Sequence, residues 1–144
     1  MGAAPGWVYW ALLSALFAAL TAIFAKLGLA GIDADFATLV RTLVIVVVLA
    51  AFVVVTGKWR NPATLPTRTL GFLALSGLAT GASWVCYFRA LQQGQATQVA
   101  PIDKLSLVLV AVFAFLFLGE RPAPREWAGI ALVAGGVLLL SWRR

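Results

Sequence analysis

The chain has 144 residues, of which 62% are apolar and only 11% charged. Soluble domains carry about 25% charged residues, so a fold with this little charge could not cover its own surface in water. The net charge of +6 does not point to nucleic acid, because the eleven Lys and Arg residues form no cluster and no polar domain presents them.

The apolar residues fall in five long runs with the charges between them, the segregation a lipid solvent demands. The first predicted span covers about 7–30, and a helix needs about 20 residues to cross the hydrocarbon core. Trp7, Tyr9 and Trp10 open it as an interfacial belt, and Lys26 lies one turn from its end. Met1 to Gly6 lack the basic n-region of a cleaved signal peptide, so the first run is expected to stay in the mature protein. A tight turn follows, with Asp33 and Asp35 available as caps for the next helix.

The second span, about 36–56, is strongly β-branched. In water this would favour a strand, but a lone strand in lipid leaves backbone groups unpaired, so a helix is expected. Arg41 lies inside it, near the start. The third span, about 69–91, contains a Gly77–Gly81 GxxxG pair, a helix-packing signal. Trp84, Tyr87 and Arg89 come near its end. The fourth, about 96–118, is interrupted in its first third by Pro101, Asp103 and Lys104. The fifth, about 126–142, is glycine-bearing. The lone cysteine, Cys86, cannot form an intrachain disulfide.

Charges inside spans cost about 2.5–3.5 kcal/mol each at a helix centre, so Lys26, Arg41, Arg89, Asp103 and Lys104 need explaining. Successive helices alternate in direction, which places all five toward one membrane face. For Lys26 and Arg89, near span ends, snorkelling to the headgroups is the favoured reading and a substrate-binding role the other. For Arg41, roughly 8 Å into its helix, snorkelling and a buried role both stand. Lys104, roughly 12 Å in, fits a buried or cavity-facing role better. Asp103 is too short to snorkel far and is expected to pair with one of the four cations. Trp84 and Tyr87, three apart, share a face; they read either as interfacial filler or as a pocket wall beside Arg89. Glu120 and Arg121 are expected to hold a helix end by capping and ion pairing.

Enzyme chemistry is not expected. There is no histidine, no carboxylate pair at helical spacing within a span and no metal-ligand cluster, and no cofactor is implied.

These residues, in this order, resemble a single EamA domain of the drug/metabolite transporter superfamily. The resemblance rests on Trp10 to Lys26, on Arg41, and on the Tyr87-Phe88-Arg89-Ala90-Leu91 end of the third span. It continues with Pro101, Leu118-Gly119-Glu120 and the glycine-rich fifth span with Gly129, Gly135 and Gly136. The run Ala100-Pro101-Ile102-Asp103-Lys104-Leu105-Ser106 resembles short bacterial and archaeal members. The resemblance implies an all-α, multi-pass inner-membrane protein of five transmembrane helices, one 1–144 domain that is half of the usual ten-helix unit. It further implies a homodimer with the substrate path between the first four helices of both copies.

Five is odd, so the termini fall on opposite faces, and an inverted pair needs one copy upside down. Lys58, Arg60, Arg68, Arg121 and Arg125 lie on the N-terminal side. Arg143 and Arg144 lie opposite, with Lys26 and Arg89 near span ends. The strict count favours the N-terminus inside and the generous one is nearly balanced, so an antiparallel homodimer is permitted. The intramembrane cations outnumber Asp103, so the expected substrate is a small metabolite with an anionic group, such as an amino acid or organic anion. Lys26, Arg41, Trp84, Tyr87, Arg89, Asp103 and Lys104 are the expected substrate-binding residues. The second reading is an accessory or lipid-flipping subunit acting on lipid-linked substrates with a partner membrane protein; the third is a structural scaffold.

Overall fold

The computed structural model describes residues 6–142. Met1 to Pro5, from which retention of the first run was argued, and Arg143 and Arg144, counted on the C-terminal side, lie outside the described residues. The described residues are helical throughout, joined by short turns and free of strands. They form two compact units, divided between Gln93 and Gly94.

The first unit contains α1 (Gly6–Gly28), α2 (Ala34–Val55) and α3 (Thr67–Gln93). Each is long and apolar enough to cross a bilayer. The α1–α2 turn places Gly31 at φ 75, where a side chain would be strained. Asp33 then caps α2, accepting the N–H groups of Asp35 and Phe36 at 3.0 Å. This cap starts α2 at Ala34, two residues before the expected boundary, and it leaves Asp35 out of capping. The far end of α2 closes with Gly57 at φ 65, while the Lys58 and Gly57 N–H groups bond the carbonyls of Val53 and Val54. That is the Schellman arrangement, in which a left-handed residue satisfies the last carbonyls of a helix. Asn61 caps a short 3-10 turn over Pro62–Thr64, and α3 follows.

Few side chains of this unit are buried by the protein itself. Ala22, Ala25, Leu29, Ala34, Thr38, Phe88 and Leu91 form a thin seam, while large residues such as Leu43, Val47, Leu49 and Phe72 are exposed. The helices therefore present apolar surface on nearly every side, which is stable only where lipid or another chain replaces water. No atom of another described helix comes within 4 Å of a Cβ built at Gly77 or Gly81, so the GxxxG pair makes no close helix contact in the described chain.

The second unit contains α4 (Ala96–Asp103), α5 (Ser106–Phe113), a π-turn (Ala114–Leu118) and α6 (Pro124–Ser141). Ala96–Leu118 together is the fourth stretch suited to crossing. Its interruption has a clear cause. Pro101 has no N–H to give the helix ladder, and beyond it Lys104, Leu105, Leu107 and Val108 donate to carbonyls three residues back instead of four. Gly119, at φ 68, ends the π-turn, and the Glu120 N–H reaches the Ala114 carbonyl at 3.2 Å.

The Glu120 and Arg121 side chains make no capping bond or ion pair among the described residues. The cap of α6 comes instead from Glu126, whose Oε2 accepts the Ala123 N–H at 2.7 Å. The 18 residues of α6 span about 27 Å, close to the roughly 30 Å of a hydrocarbon core. With four long apolar stretches and α6, the chain is an all-α, multi-pass membrane protein of five helical passes, the fourth interrupted.

Candidate functional site

The first unit sorts its three intramembrane cations by partner. Lys26, half-buried in the last turn of α1, donates from Nζ to the carbonyl of Leu91 at 2.6 Å. Leu91 lies three positions from the end of α3 as counted inclusively, among carbonyls with no partner inside the helix. A cation there is favoured by both the open lone pair and the helix dipole. Lys26 thus ties the end of α1 to the end of α3, a fixed partner in place of snorkelling.

Arg89 reaches Asp35 in a two-pronged contact. Its Nε donates to Oδ1 at 2.8 Å and its Nη2 to Oδ2 at 2.6 Å. The two residues are 54 apart in sequence, but the start of α2 and the end of α3 lie side by side because the helices are antiparallel. The planar guanidinium matches the carboxylate in such a pair, which fixes geometry as well as charge. Gln92 adds a bond from its side-chain N–H to the Ile32 carbonyl at 2.9 Å. Three contacts, from Lys26, Arg89 and Gln92, therefore bind one end of the unit together. Either single reversal, Asp35→Arg or Arg89→Asp, should lower Tm in detergent, and the double reversal should recover most of it. A double variant no more stable than the worse single one would show that the pair has no structural role.

Arg41 differs from both. Its guanidinium lies over the Trp84 ring, 4.0 Å from the centroid, and 5.4 Å from that of Phe88. Trp84 and Phe88 are four apart on α3 and so share a face. Cation–π contact of this kind is worth about 2 kcal/mol when desolvated. It engages the flat face of the group and leaves its N–H edge unused. Among the described residues Arg41 has no hydrogen bond and no ion pair, and its Nη1 is shielded from solvent with no acceptor. A guanidinium has five N–H donors and cannot deprotonate in a protein, so this is a charged group positioned by aromatics and lacking an anion.

Arg41 also lines a cleft of about 390 Å³ whose other walls are Thr21, Phe24, Ala25, Gly28, Ile32, Phe36, Ala37, Val40 and Phe88. The cleft runs between α1 and α2, from the turn at Ile32 to the level of Thr21 and Arg41. It is apolar apart from the hydroxyl of Thr21, the guanidinium and the backbone. Trp84 holds the guanidinium without lining this cleft. Tyr87 is half-buried and packs its ring against Phe88, with centroids 6.5 Å apart. Of the two readings of Trp84 and Tyr87, filler or a wall beside Arg89, Trp84 takes neither and clamps Arg41, and Phe88, Phe24 and Phe36 are the lining residues that sequence reasoning missed.

Asp103 and Lys104 belong to the second unit. They pair with each other, Oδ2 to Nζ at 3.4 Å, at the interruption between α4 and α5. Asp103 has thus found one of its four expected partners. The described residues contain no group of three or more His, Cys, Asp or Glu side chains able to hold a metal ion.

The chain is similar in sequence to known proteins. A protein of a Sinorhizobium species named "Uncharacterized transporter in cobO 3'region" is 62% identical over 135 residues, covering 94% of this chain and 96% of that one. A Yersinia pestis protein named "Probable 4-amino-4-deoxy-L-arabinose-phosphoundecaprenol flippase subunit ArnE" is 35% identical over 85 residues, 58% of this chain and 75% of that one. No solved structure gives a significant match. The profile of the EamA-like transporter family matches residues 5–142, a range that includes every described residue, and five passes fit the half unit of that family. The chain therefore belongs to the EamA-like transporter family.

Proposed function

We propose that the chain is a subunit of an inner-membrane exporter or exchanger for a small metabolite bearing an anionic group, working as a homodimer. The single observation that carries this reading is Arg41, a permanent cation clamped on Trp84 and Phe88 beside an apolar cleft, with no anion to neutralise it among the described residues. Burying such a charge without a partner is costly, and a substrate carboxylate or phosphate offsets that cost when bound. In this reading Arg41 binds the substrate and Trp84 orients it. Lys26, Tyr87 and Arg89 shape the surroundings of Arg41, and Asp103 and Lys104, at the interruption between α4 and α5, are further substrate-binding residues of the second unit by itself.

A half unit needs a second half, and an antiparallel pair supplies the inverted arrangement of two-domain transporters. A reporter fused at the C-terminus tests this: both orientations should appear in comparable amounts, and a single orientation excludes the antiparallel pair.

The second reading is a lipid-handling subunit that needs a different partner. The observation favouring it is the similarity to a protein named as a flippase subunit. Purified chain reconstituted alone in liposomes separates the two. Anion flux from the chain alone supports the homodimer, and silence restored by a co-expressed membrane protein supports the partnered subunit.

A further inference from the structure

The shape and lining of the Arg41 cleft restrict the substrate further, taking the proposed anion transport as given. We infer that the cleft takes a free monoanion with an apolar body, rather than a zwitterion or a bilayer phospholipid.

Three observations lead there. First, the first unit offers no free carboxylate to hold a substrate ammonium. Its two carboxylates are both engaged, Asp33 by the start of α2 and Asp35 by Arg89. A zwitterion would bring a cation into an apolar wall beside Arg41, where it meets like charge, no carboxylate and only the Thr21 hydroxyl as an acceptor side chain. Second, the volume of about 390 Å³ lies at the small end of ligand sites, which run roughly 300–1,000 Å³. Walls of Phe24, Phe36, Val40 and Phe88 suit a compact aliphatic or aromatic body.

Third, the order of chemistry along the cleft is the reverse of a phospholipid's. The turn holding Ile32 joins two membrane-spanning helices and so marks a membrane face. Arg41 is seven residues beyond Ala34, about 10 Å along α2. The anion seat is therefore at the inner end and the apolar walls lie between it and the face. A bilayer lipid places its charged head outermost, whereas a free amphiphile can enter anion first.

Alkylsulfonates provide the test, because they are permanently charged and differ only in length. Full-length protein in nanodiscs of zwitterionic lipid is titrated with the methane to decane members, and the same titrations are run on Arg41→Met and on empty nanodiscs. The quantity read is the binding that Arg41→Met removes. It should strengthen about three- to fourfold per methylene, as burial of a CH₂ group predicts, and then level off once the cleft is full. Partition into the bilayer alone keeps rising with length and is equal in both proteins.

Taurine, a zwitterionic sulfonate of similar size to ethanesulfonate, should bind at least tenfold more weakly than that partner. Nanodiscs rich in phosphatidylglycerol should leave the hexanesulfonate affinity unchanged. Three results would overturn the inference: an Arg41-dependent component independent of chain length, taurine equal to ethanesulfonate, or displacement by phosphatidylglycerol. Loss of any Arg41-dependent binding at all would instead remove the anion-transport reading on which the inference rests.

Discussion

Arg41→Met is expected to reduce anion flux by about 10- to 100-fold, since hydrogen bonds to charged groups contribute about 1.5–3 kcal/mol. Methionine keeps an unbranched apolar side chain against Trp84 and Phe88, so the α2–α3 packing should survive and the loss should be one of binding. The protein should be at least as stable as the wild type, because a charge lacking a partner has been removed from an apolar setting. Arg41→Lys makes the reading sharper. Lysine restores the charge as a point but not the planar fork or the stacked face, so part of the flux should return with a weaker apparent affinity. A wild-type rate in Arg41→Met would show that the aromatics hold Arg41 for packing alone.

Lys104→Met is expected to abolish transport while leaving the assembly intact. The side chain lies at the interruption between α4 and α5, paired with Asp103 at 3.4 Å. Removing the cation leaves a carboxylate in the span without its neighbour, which lipid penalises. It also removes a cation that the proposed anion transport would use. The double variant Asp103→Asn/Lys104→Met separates these effects. Recovery of flux in the double variant would assign the loss to the stranded carboxylate. Continued silence with normal assembly, read by crosslinking, would assign it to the lysine itself. Normal flux in Lys104→Met alone would remove Lys104 from the transport path.

The sequence was most informative where lipid imposes a rule. Long apolar runs, segregated charges and Gly31, Gly57 and Gly119 at turns lead directly to helices, because a helix satisfies its own backbone in a bilayer and the alternative, a closed barrel, is built from short alternating strands. The interruption at Pro101 was equally visible, since proline removes a donor wherever it stands. Side-chain partners were harder. Asp35 was grouped with Asp33 as a cap, yet only Asp33 has the position before the first helical residue; Asp35 points to Arg89 instead. That pair was in principle legible. Antiparallel α2 and α3 bring the start of one beside the end of the other, and these are opposite charges at matching depth.

The Lys26 contact was less so, because its partner is the backbone carbonyl of Leu91, which any residue type would supply. The aromatic clamp was half legible. Trp84 was singled out, but its face was completed by Phe88 four residues on rather than by Tyr87 three residues on. The choice between those spacings depends on how α3 is rotated against α2, and that rotation is a property of packing, not of α3 alone.

The central claim is that Arg41 is the cation that meets the transported anion. Nitrogen-15 NMR of the arginine side chains reads this directly. Protein labelled at arginine, in nanodiscs, is titrated with hexanesulfonate, and the Arg41 resonance is identified as the one missing in Arg41→Met. A saturable shift of that resonance, with the Arg89 resonance unchanged, is the predicted result. A spectrum in which Arg41 does not move while the anion binds, or in which only Arg89 responds, would contradict the account.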